Sequence, residues 1–423
     1  MTPENTKIRY AEFSSASRSR NEFGMTDIKP RVAIVHDFFH TFGGAERVTL
    51  AISDLYPEAP IYTLFYDKKL NPWFGHRKII TSYLQKWSWV PAKFLLPFYA
   101  LAIESFDFDD FDVVISSSHS FAKNILTNPN TIHISYVHTP MRYVWDAWHT
   151  YLAGKQVSGL AGGFIRKILS QIRIWDKIGA SRVDQYVANS KYVADRIRKF
   201  YRRNSIVIYP SVDTDKIQVS REHKGHFIAI ARLSQYKRLD LVVQACNELD
   251  LPLVVIGTGE MEAELKRMAG ATVTITGWIS DEQKIEYIRT CRALIFPGEE
   301  DFGIVPVELQ AAGKPVIAYG KGGCLETVVD GQTGLFFPEQ TIESVKRAIQ
   351  EFVAREGEFN PEVISEHAQK FSRQRFQSEI DTLVNKLWST HVVTLSEPTS
   401  SVILTEPITD VILSEQSESK DLS

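Results

Sequence analysis

The sequence has few cysteines and no long hydrophobic run, and both shortages limit what the chain can be. Its only cysteines are Cys246, Cys291 and Cys324, and no two of them form a CxxC pair. This spacing excludes a zinc cluster built from cysteine alone and fits a reducing, cytoplasmic compartment. No apolar run reaches the length of about 18 residues that a spanning helix needs, so no membrane-spanning helix is predicted.

Charge of either sign is also not in large excess. Lys and Arg number 48 against 51 Asp and Glu, which gives a formal net charge of −3. We therefore expect no nucleic-acid partner. The hydrophobic fraction of 44% is typical of a globular protein, and 423 residues are too many for one ordinary core. Two domains are the favoured division.

The two ends of the chain differ from the rest in composition. Residues 1–28 are polar, lack the apolar core of a signal peptide and are interpreted as a flexible leader, dispensable as far as Gly24. Residues 391–423 contain three imperfect copies of one unit, VTLSEP, VILTEP and VILSEQ, and no aromatic residue. They predict a disordered low-complexity tail, with a short partner-binding strand as the alternative.

Buried-strand patterns occur in two series, and a turn and a helical pattern follow each strand. The first series comprises Arg31–Asp37, Ile61–Tyr66, Val113–Ser117, Thr131–Val137 and Asp184–Ala188. The second comprises His226–Ala231, Leu253–Ile256, Thr272–Thr276, Ala293–Phe296 and Pro315–Ala318. This alternation predicts an α/β protein with two doubly wound, Rossmann-like domains that face each other across a cleft.

Pro and Asp interrupt the periodicity at Tyr209–Asp215, where we place the domain boundary and expect hinge motion. The predicted domains are residues 29–212 and 213–372, and residues 373–390 form a last amphipathic helix.

Ligands of open α/β sheets bind at the carboxyl ends of the strands, so we searched the segments that follow each strand. Gly43 and Gly44 lie between the first strand and its helix, where backbone can approach a phosphate or a sugar closely. Gly257 and Gly259 follow a strand of the second series, and a similar glycine turn lies within Tyr319–Glu326. A plain structural turn is the alternative for Gly43 and Gly44.

Two basic side chains follow the first strand of the second series. Arg232 and Lys237 place a guanidinium and an ammonium group at the end of that strand. A nucleoside diphosphate develops negative charge as it leaves, and such a pair stabilises it without a metal. A solvated basic turn is the alternative explanation.

Glu300 and Glu308 follow the strand Ala293–Phe296, one in its loop and the other in the first turns of the next helix. Both carboxylates can accept hydrogen bonds from the hydroxyl groups of one ligand, and Gly303 between them lets amide groups point to the same space. A carboxylate that caps its own helix is the alternative for either residue.

His138 follows the strand Thr131–Val137 and could bind a sugar hydroxyl, although a purely structural histidine is the alternative. Asp107-Phe108-Asp109 resembles a metal-binding DxD pair, but it precedes its strand and so lies at the wrong end of the sheet. No other cluster has metal-ligand spacing, so we predict neither a metal nor a cofactor.

Taken together, these residues resemble glycosyltransferase family 4, which has the GT-B fold. The resemblance covers Arg31 to Trp388 and is carried by Arg232, Lys237, Glu300 and Glu308. The segment Tyr136–Asp146 (YVHTPMRYVWD) is similar to mannosyltransferases of O-antigen and polysaccharide assembly.

The resemblance implies a role for each site residue. Arg232 and Lys237 would bind the diphosphate, Glu308 the ribose, and the Gly277-Trp278 segment the base. The donor sugar would contact Glu300, the amides of Phe302, Gly303 and Ile304, and, from the first domain, His138 and Gly44. The last helix would pack back on the first domain.

The family also implies transfer of a hexose, with mannose favoured, from a nucleotide-diphosphate sugar with retention of anomeric configuration. GDP-mannose is the favoured donor, with a UDP-sugar as the alternative, and the acceptor would be a glycan or a lipid-linked sugar. Two other functions stay open: a sugar-nucleotide 2-epimerase and a non-catalytic nucleotide-sugar-binding protein.

Two segments bear on where the acceptor lies. Trp87–Leu101 is rich in aromatic and apolar residues, and Ile165–Lys177 has the pattern of a basic amphipathic helix. Both suit peripheral docking at the inner, anionic membrane surface, where a lipid-linked acceptor would lie. Ordinary packing within or between the domains explains them equally well.

Overall fold

A computed structural model of the protein describes residues 29–146 and 159–396. The leader predicted for residues 1–28 lies outside the described residues. The last helix continues to Ser396 instead of ending at residue 390, so residues 391–396 of the predicted tail are helical. The rest of the predicted tail, from residue 397 onward, also lies outside the described residues.

Seven parallel strands form the first sheet, in the order β3-β2-β1-β4-β5-β6-β7. Their bounds are β1 Val32–Phe39, β2 Ile61–Tyr66, β3 Ile79–Thr81, β4 Val113–Ser118, β5 Ile132–Val137, β6 Gln185–Ala188 and β7 Ile206–Val207. The central strands are buried on both faces, as expected where helices cover a parallel sheet. The helices described in this half are α1 Gly44–Leu55, α2 Asn71–Phe74, α3 Ala92–Leu95, α4 Tyr99–Glu104, α5 Gly159–Gly179 and α6 Lys191–Tyr201.

A second parallel sheet has the order β10-β9-β8-β11-β12-β13. Its strands are β8 Phe227–Ile230, β9 Leu253–Ile256, β10 Val273–Gly277, β11 Leu294–Phe296, β12 Val316–Tyr319 and β13 Gly334–Phe337. Its helices are α7 Leu239–Glu248, α8 Glu262–Met268, α9 Asp281–Thr290, α10 Ile304–Ala311, α11 Cys324–Thr327, α12 Ile342–Arg355 and α13 Pro361–Ala368. Two doubly wound sheets confirm the predicted fold class.

The last helix, α14 Arg373–Ser396, returns from the second half of the chain to the first. Its apolar residues Phe376, Ile380 and Val384 are buried in the same hydrophobic cluster as the inner face of β1 and α1. The predicted crossover of the last helix is therefore present, and it ties the two halves together through apolar burial.

All ten strands predicted from the sequence are present, with ends that differ by at most two residues. β3, β7 and β13 were not predicted. Among the described residues, no helix is both long and apolar enough to cross a bilayer. The domain boundary near residue 212 falls between β7 and β8 and stays a prediction.

Candidate active site

The carboxyl ends of the two sheets meet, and contacts between the halves occur on segments that directly follow strands. Gly44, after β1, lies so close to Ile304 that a Cβ atom there would be 2.8 Å from the Ile304 Cδ1 atom. Ser190, after β6, donates a 2.6 Å hydrogen bond to the carbonyl oxygen of Asp301, after β11. A cleft between the strand ends is where the fold places ligands.

Lys237 and Glu300 form an ion pair in this cleft. Both side chains are largely buried, with 14% and 21% of their surface exposed. Burial lowers the pKa of Lys237 to about 8, and Arg142 acts in the same direction while Asp301 opposes it. The sequence separation of 63 residues is closed because β8 and β11 are neighbours in the second sheet.

Arg232 lies two residues beyond the end of β8 and is solvent-exposed. Within residues 29–146 and 159–396, no ion pair or hydrogen bond involves its guanidinium group. An exposed, unpaired guanidinium at the end of β8 can bind an anion that enters from solvent.

The predicted phosphate-contacting glycines of the second half instead make close contacts with the protein itself. A Cβ atom at Gly257 would lie 1.9 Å from the carbonyl oxygen of Ala231, and one at Gly259 would lie 2.3 Å from that of Leu233. The two glycines thus let the loop after β9 pack against the backbone on either side of Arg232. Their contact with a donor phosphate stays a prediction.

Glycines in the turn after β12 have a similar structural role. A Cβ atom at Gly322 would lie 2.4 Å from the carbonyl oxygen of Glu300, and one at Gly323 would lie 2.3 Å from the Phe302 Cα atom. The turn after β12 therefore fixes the Glu300–Phe302 backbone, and with it the carboxylate that pairs with Lys237.

Gly303 ends this loop in a conformation with φ of +94° and is the N-cap of α10. The ring of Phe302 is buried against Tyr209 and Phe371, so only the backbone of this residue can face the cleft. The amide groups at the start of α10 carry the positive end of the helix dipole, which suits an anionic or hydroxyl-rich ligand.

Glu308 lies in α10, as predicted, and its carboxylate is 2.6 Å from the Lys284 ammonium of α9. It lines a cavity of about 110 Å³ between the two halves, together with Arg47, Trp73, Lys216 and Arg373. The carboxylate is thus available to a ligand only if that ligand shares it with Lys284 or replaces the lysine.

His138 follows β5 and takes part in a network of polar groups at the strand ends. Its Nε2 atom lies 2.8 Å from Ser117 Oγ, which is also 3.1 Å from His36 Nδ1 and accepts a hydrogen bond from Thr49 Oγ1. Burial, with smaller contributions from His119 and His36, holds the pKa of His138 well below its usual value. A neutral imidazole at this position can bind a sugar hydroxyl without adding charge.

Gly43 and Trp278 complete the predicted set. The Gly43 amide group donates a 2.9 Å hydrogen bond to the Glu46 carboxylate, which fixes the glycine turn at the start of α1. Trp278 follows β10 with 80% of its surface exposed, so its ring is free to cover a ligand at the rim of the cleft.

Asp301 and Arg196 join the two halves, and neither was predicted from the sequence as a site residue. Arg196 of α6 binds the Asp301 carboxylate at 2.6 Å and that of Asp146 at 2.7 Å. Burial raises the pKa of Asp301, while Arg196 and then Arg142 oppose this shift. The only feature of the sequence that could have indicated Asp301 is its position next to Glu300. An ion pair between two domains leaves no local pattern in the sequence.

A second set of contacts across the halves involves the first turn of α6. The Glu326 carboxylate accepts hydrogen bonds from the amide groups of Lys191 at 2.8 Å and Tyr192 at 3.0 Å. The Tyr192 hydroxyl group donates a 2.7 Å hydrogen bond to Glu299. The two halves are therefore in contact on both sides of Asp301.

Asp107 and Asp109 lie before β4 and so at the opposite edge of the sheet from His138. In the part of the chain that the structure describes, no cluster of three or more His, Cys, Asp or Glu residues could hold a metal ion.

Comparison with known families covers most of both halves. Residues 42–216 match the model described as glycosyltransferase family 4, and residues 212–374 match the model described as glycosyl transferases group 1. Among solved structures, a sucrose-phosphate synthase from Thermosynechococcus elongatus aligns with a TM-score of 0.66 at 16% identity, covering 85% of this chain and 100% of that one. Anabaena HepE in complex with UDP-glucose aligns with a TM-score of 0.61 at 17% identity, covering 85% and 99%.

Curated relatives are similar at the sequence level. The O-antigen chain mannosyltransferase C of Escherichia coli is 25% identical over 362 residues, covering 80% of this chain and 90% of that protein. The D-rhamnosyltransferase WbpZ of Pseudomonas aeruginosa is 28% identical over 187 residues, covering 40% and 49%. The glycosyltransferase MJ1178 of Methanocaldococcus jannaschii, itself uncharacterized, is 26% identical over 207 residues, covering 48% and 58%.

The present chain thus spans about half the length of the last two relatives, but nine tenths of the first. The two family models meet at the predicted domain boundary and together match residues 42–374. With two facing Rossmann-like sheets and a helix that returns to the first, the chain belongs to the family 4 and group 1 glycosyltransferases of the GT-B fold.

Proposed function

We propose that the protein transfers a hexose, with mannose favoured, from a nucleotide-diphosphate sugar to a glycan or a lipid-linked acceptor with retention of anomeric configuration. The main support is the buried Lys237–Glu300 pair in the cleft, beside the start of α10. A cation and a carboxylate at this point can act on the two parts that separate in the reaction: the diphosphate and the sugar.

In this proposal, Lys237 and Arg232 bind the diphosphate and offset the charge that develops on it as the glycosidic bond breaks. The donor enters between Lys237 and Glu300, so that the ammonium group turns to the phosphate and the carboxylate to sugar hydroxyls. The acceptor hydroxyl attacks from the face that the diphosphate leaves, and a phosphate oxygen takes its proton. His138 and the amides of Gly303 and Ile304 hold the transferred sugar.

Glu308 binds the ribose in the same scheme. Its present partner Lys284 lies 2.6 Å away, which orients the carboxylate until a ligand hydroxyl donates to it. Gly43 and Gly44 let the first domain approach the sugar, and Trp278 covers the base. Contacts between the halves exclude water, which would otherwise hydrolyse the donor.

Mannose as the transferred sugar is supported by relatives. Besides the Escherichia coli enzyme, proteins named alpha-1,3/1,6-mannosyltransferase ALG2 match this chain, one from Mus musculus at 25% identity over 412 residues, 82% of this chain. The UDP and UDP-glucose bound by HepE support a nucleotide sugar more broadly. GDP-mannose is therefore the first donor to test, with UDP-sugars beside it.

The acceptor side is supported by an apolar surface on the first half, which we define as the segment Trp87–Leu101 with the outer face of α5. Trp89, Phe94, Leu101 and Ile178 are 80%, 61%, 62% and 59% exposed. A groove of about 410 Å³ lies between the two parts of this surface, and the exposed Lys167 of α5 lines it. Apolar and basic groups together suit docking on an anionic bilayer that carries a lipid-linked acceptor.

A donor panel tests the proposal. GDP-mannose and several UDP-sugars are incubated with the protein and a lipid-linked acceptor extract, and nucleoside diphosphate release and the labelled product are followed. We expect release that depends on the acceptor, and a product whose anomeric coupling in NMR matches that of the donor. Conversion of donor alone to its 2-epimer would favour the epimerase instead, and binding without conversion a non-catalytic binder.

Two variants test the site itself. Lys237→Ala should lower turnover by several orders of magnitude without unfolding the protein, because the leaving group loses its buried cation. Glu308→Ala should chiefly weaken donor binding, seen as a higher KM at similar kcat. Lys266→Ala, which removes an exposed lysine of α8, is a matched control. Wild-type kinetics in both site variants would exclude this site.

A further inference from the structure

Three neighbouring strands of the first sheet each end directly before a histidine. His40 follows β1, His119 follows β4 and His138 follows β5. Because β1, β4 and β5 are adjacent and parallel, the three imidazoles lie along one edge of the sheet. Of these three, His138 alone has so far been given a role.

His119 is held by a carboxylate that is itself fully buried. Asp37 Oδ2 lies 3.1 Å from His119 Nδ1 and accepts the amide N–H groups of His119 at 2.6 Å and Ser120 at 2.9 Å. Its Oδ1 atom accepts those of Phe121 at 2.5 Å and Ala122 at 2.6 Å. Four amide donors hold this carboxylate in place, so its position beside the ring is well defined.

The opposite side of the His119 ring is open. Nδ1 and Nε2 lie on different sides of an imidazole, and because Nδ1 faces Asp37, Nε2 points away from it. The side chain is 36% exposed, and within the described ranges no residue forms a hydrogen bond with Nε2. When the ring carries its proton on Nδ1, on the side of this carboxylate, Nε2 is a hydrogen-bond acceptor.

The surroundings of His119 point to a sugar rather than to a phosphate. Its ring centroid is 6.0 Å from that of His36, which connects through Ser117 to His138. The Phe38 ring meets the His119 ring edge-on, with 5.9 Å between their centroids. Imidazole nitrogens beside an aromatic ring suit the hydroxyl groups and apolar faces of a carbohydrate, whereas the cations for a diphosphate come from the second half.

We propose that His119 contacts the acceptor: its Nε2 atom accepts a hydrogen bond from an acceptor sugar hydroxyl, and Asp37 is a positioning residue that fixes the ring. The proposal rests on the proposed transfer reaction and extends its acceptor side. Phe38 leads from this point toward the apolar surface, since its ring contacts that of Tyr99 in α4 at 5.6 Å. A lipid-linked acceptor docked at that surface could thus place its sugar at His119.

Steady-state kinetics of four variants test this role. His119→Ala should lower kcat/KM for the acceptor by about tenfold or more, the loss expected for one hydrogen bond. The Kd for GDP and the slow hydrolysis of donor without acceptor should stay within about twofold. Gln places its amide near the position of Nε2 and should restore part of the loss, whereas Asn reaches only toward Nδ1 and should not. His76→Ala, an exposed histidine elsewhere on this half, is the control.

Asp37→Asn separates the positioning role from a purely structural one. It keeps the size of the side chain, and we expect a smaller loss for the acceptor than in His119→Ala, in the same direction, with Tm recorded for both. Acceptor kinetics within twofold of wild type in His119→Ala would overturn the proposal. An equal loss of GDP affinity would do so as well, because it would place His119 in the donor site.

Direct binding keeps this test separate from the transfer reaction. Saturation-transfer NMR with methyl α-mannoside and GDP should give a signal with the wild type that His119→Ala loses. If no donor supports transfer, the proposed function fails, and this signal still decides the role of His119. A signal that the variant retains, or a wild type that gives none, overturns the inference.

Discussion

At the residue scale, the buried ammonium of Lys237 should make the transfer activity depend on pH. Burial lowers its pKa to about 8, and only the charged form can stabilise a departing diphosphate. The charged form is present below that value and is lost as the pH rises through it. We therefore expect kcat/KM for the donor, which reports on the free enzyme, to fall above about pH 8.

Lys237→Arg provides the check on this assignment. A guanidinium group stays protonated at every pH used, so the variant should be slower than the wild type but should lack its alkaline decline. If the decline persists in Lys237→Arg, another group causes it.

Gly44 carries a second residue-scale prediction, because its missing side chain makes room for Ile304. A Cβ atom at Gly44 would lie 2.8 Å from Ile304 Cδ1 and would push the halves apart at the cleft. We expect Gly44→Ala to lower kcat/KM by about three- to tenfold, which corresponds to about 1 kcal/mol. Ile304→Val removes the clashing methyl group and should restore most of the activity when the two are combined. Gly163→Ala, where nothing lies within 4 Å of the added atom, should have no such effect.

At the element scale, β5 contains one buried histidine, His133, and ends before another, His138, and burial favours the neutral form of both. His133 in β5 is fully buried with its Nε2 atom 2.9 Å from Ser116 Oγ, and burial lowers its pKa to about 3. The unfolded chain binds this proton near pH 6.5, so the stability that the neutral form provides is complete above pH 6.5. It is lost as the pH falls from there toward about 3, by up to about 1.4 kcal/mol per pH unit.

His133→Gln should reduce this dependence on pH by one proton. Urea unfolding followed between about pH 7 and about pH 4 gives the slope of the free energy of unfolding, and His138, whose pKa is also lowered, keeps part of it in the variant. His76→Gln should leave the slope unchanged. An unchanged slope in His133→Gln would mean that the buried ring is not neutral.

Elements of the fold differ in how well the sequence predicted them. Strands such as Leu253–Ile256 were predicted correctly because continuous apolar residues mark a strand buried on both faces. β3 and β7 have three and two residues and lie at the sheet's edges, so they carry too few apolar positions to form a pattern. Gly257 and Gly259 mark a close approach, but whether backbone or phosphate lies opposite depends on tertiary structure.

The same limit applies to the site. The proximity of Lys237 and Glu300 follows from the rule that ligands bind at strand ends, because β8 and β11 are neighbours. The Arg196–Asp301 pair crosses from one half to the other, and no rule within one sheet predicts it. Sequence patterns therefore predict which residues lie at the strand ends. The contacts that close the cleft depend on the tertiary structure and cannot be predicted from those patterns.

At the scale of the whole molecule, the first turn of α6 is one of the points where the two halves are in contact. The Glu326 carboxylate accepts hydrogen bonds from two amide groups at the start of α6. Its negative charge also interacts favourably with the dipole of this helix. Glu326→Gln removes the charge and should shift the molecule toward an open arrangement. We expect a larger radius of gyration in small-angle scattering and a donor KM that rises about threefold or more at similar kcat. Glu343→Gln, in an exposed part of α12, should change neither.

The apolar surface predicts that the whole molecule works at a membrane surface. Trp89 and Leu101 are largely exposed, and a bilayer interface would bury them, whereas packing inside this molecule leaves them in water. Vesicles of phosphatidylglycerol and phosphatidylethanolamine should therefore bind the protein more strongly than neutral phosphatidylcholine vesicles, and less so at high salt. The double variant Trp89→Ser, Leu101→Ser should bind the anionic vesicles about tenfold more weakly in a co-sedimentation assay, because two apolar side chains no longer insert into the bilayer.

Trp278→Ser is the matched control for this experiment, because it removes an equally exposed tryptophan from the other half of the molecule. It should leave vesicle binding intact while it weakens donor binding. If both variants bind vesicles alike, the apolar surface does not meet the membrane. A second copy of the chain would then be expected to bury the apolar surface. Sedimentation velocity would detect such a dimer, which the double variant Trp89→Ser, Leu101→Ser should dissociate.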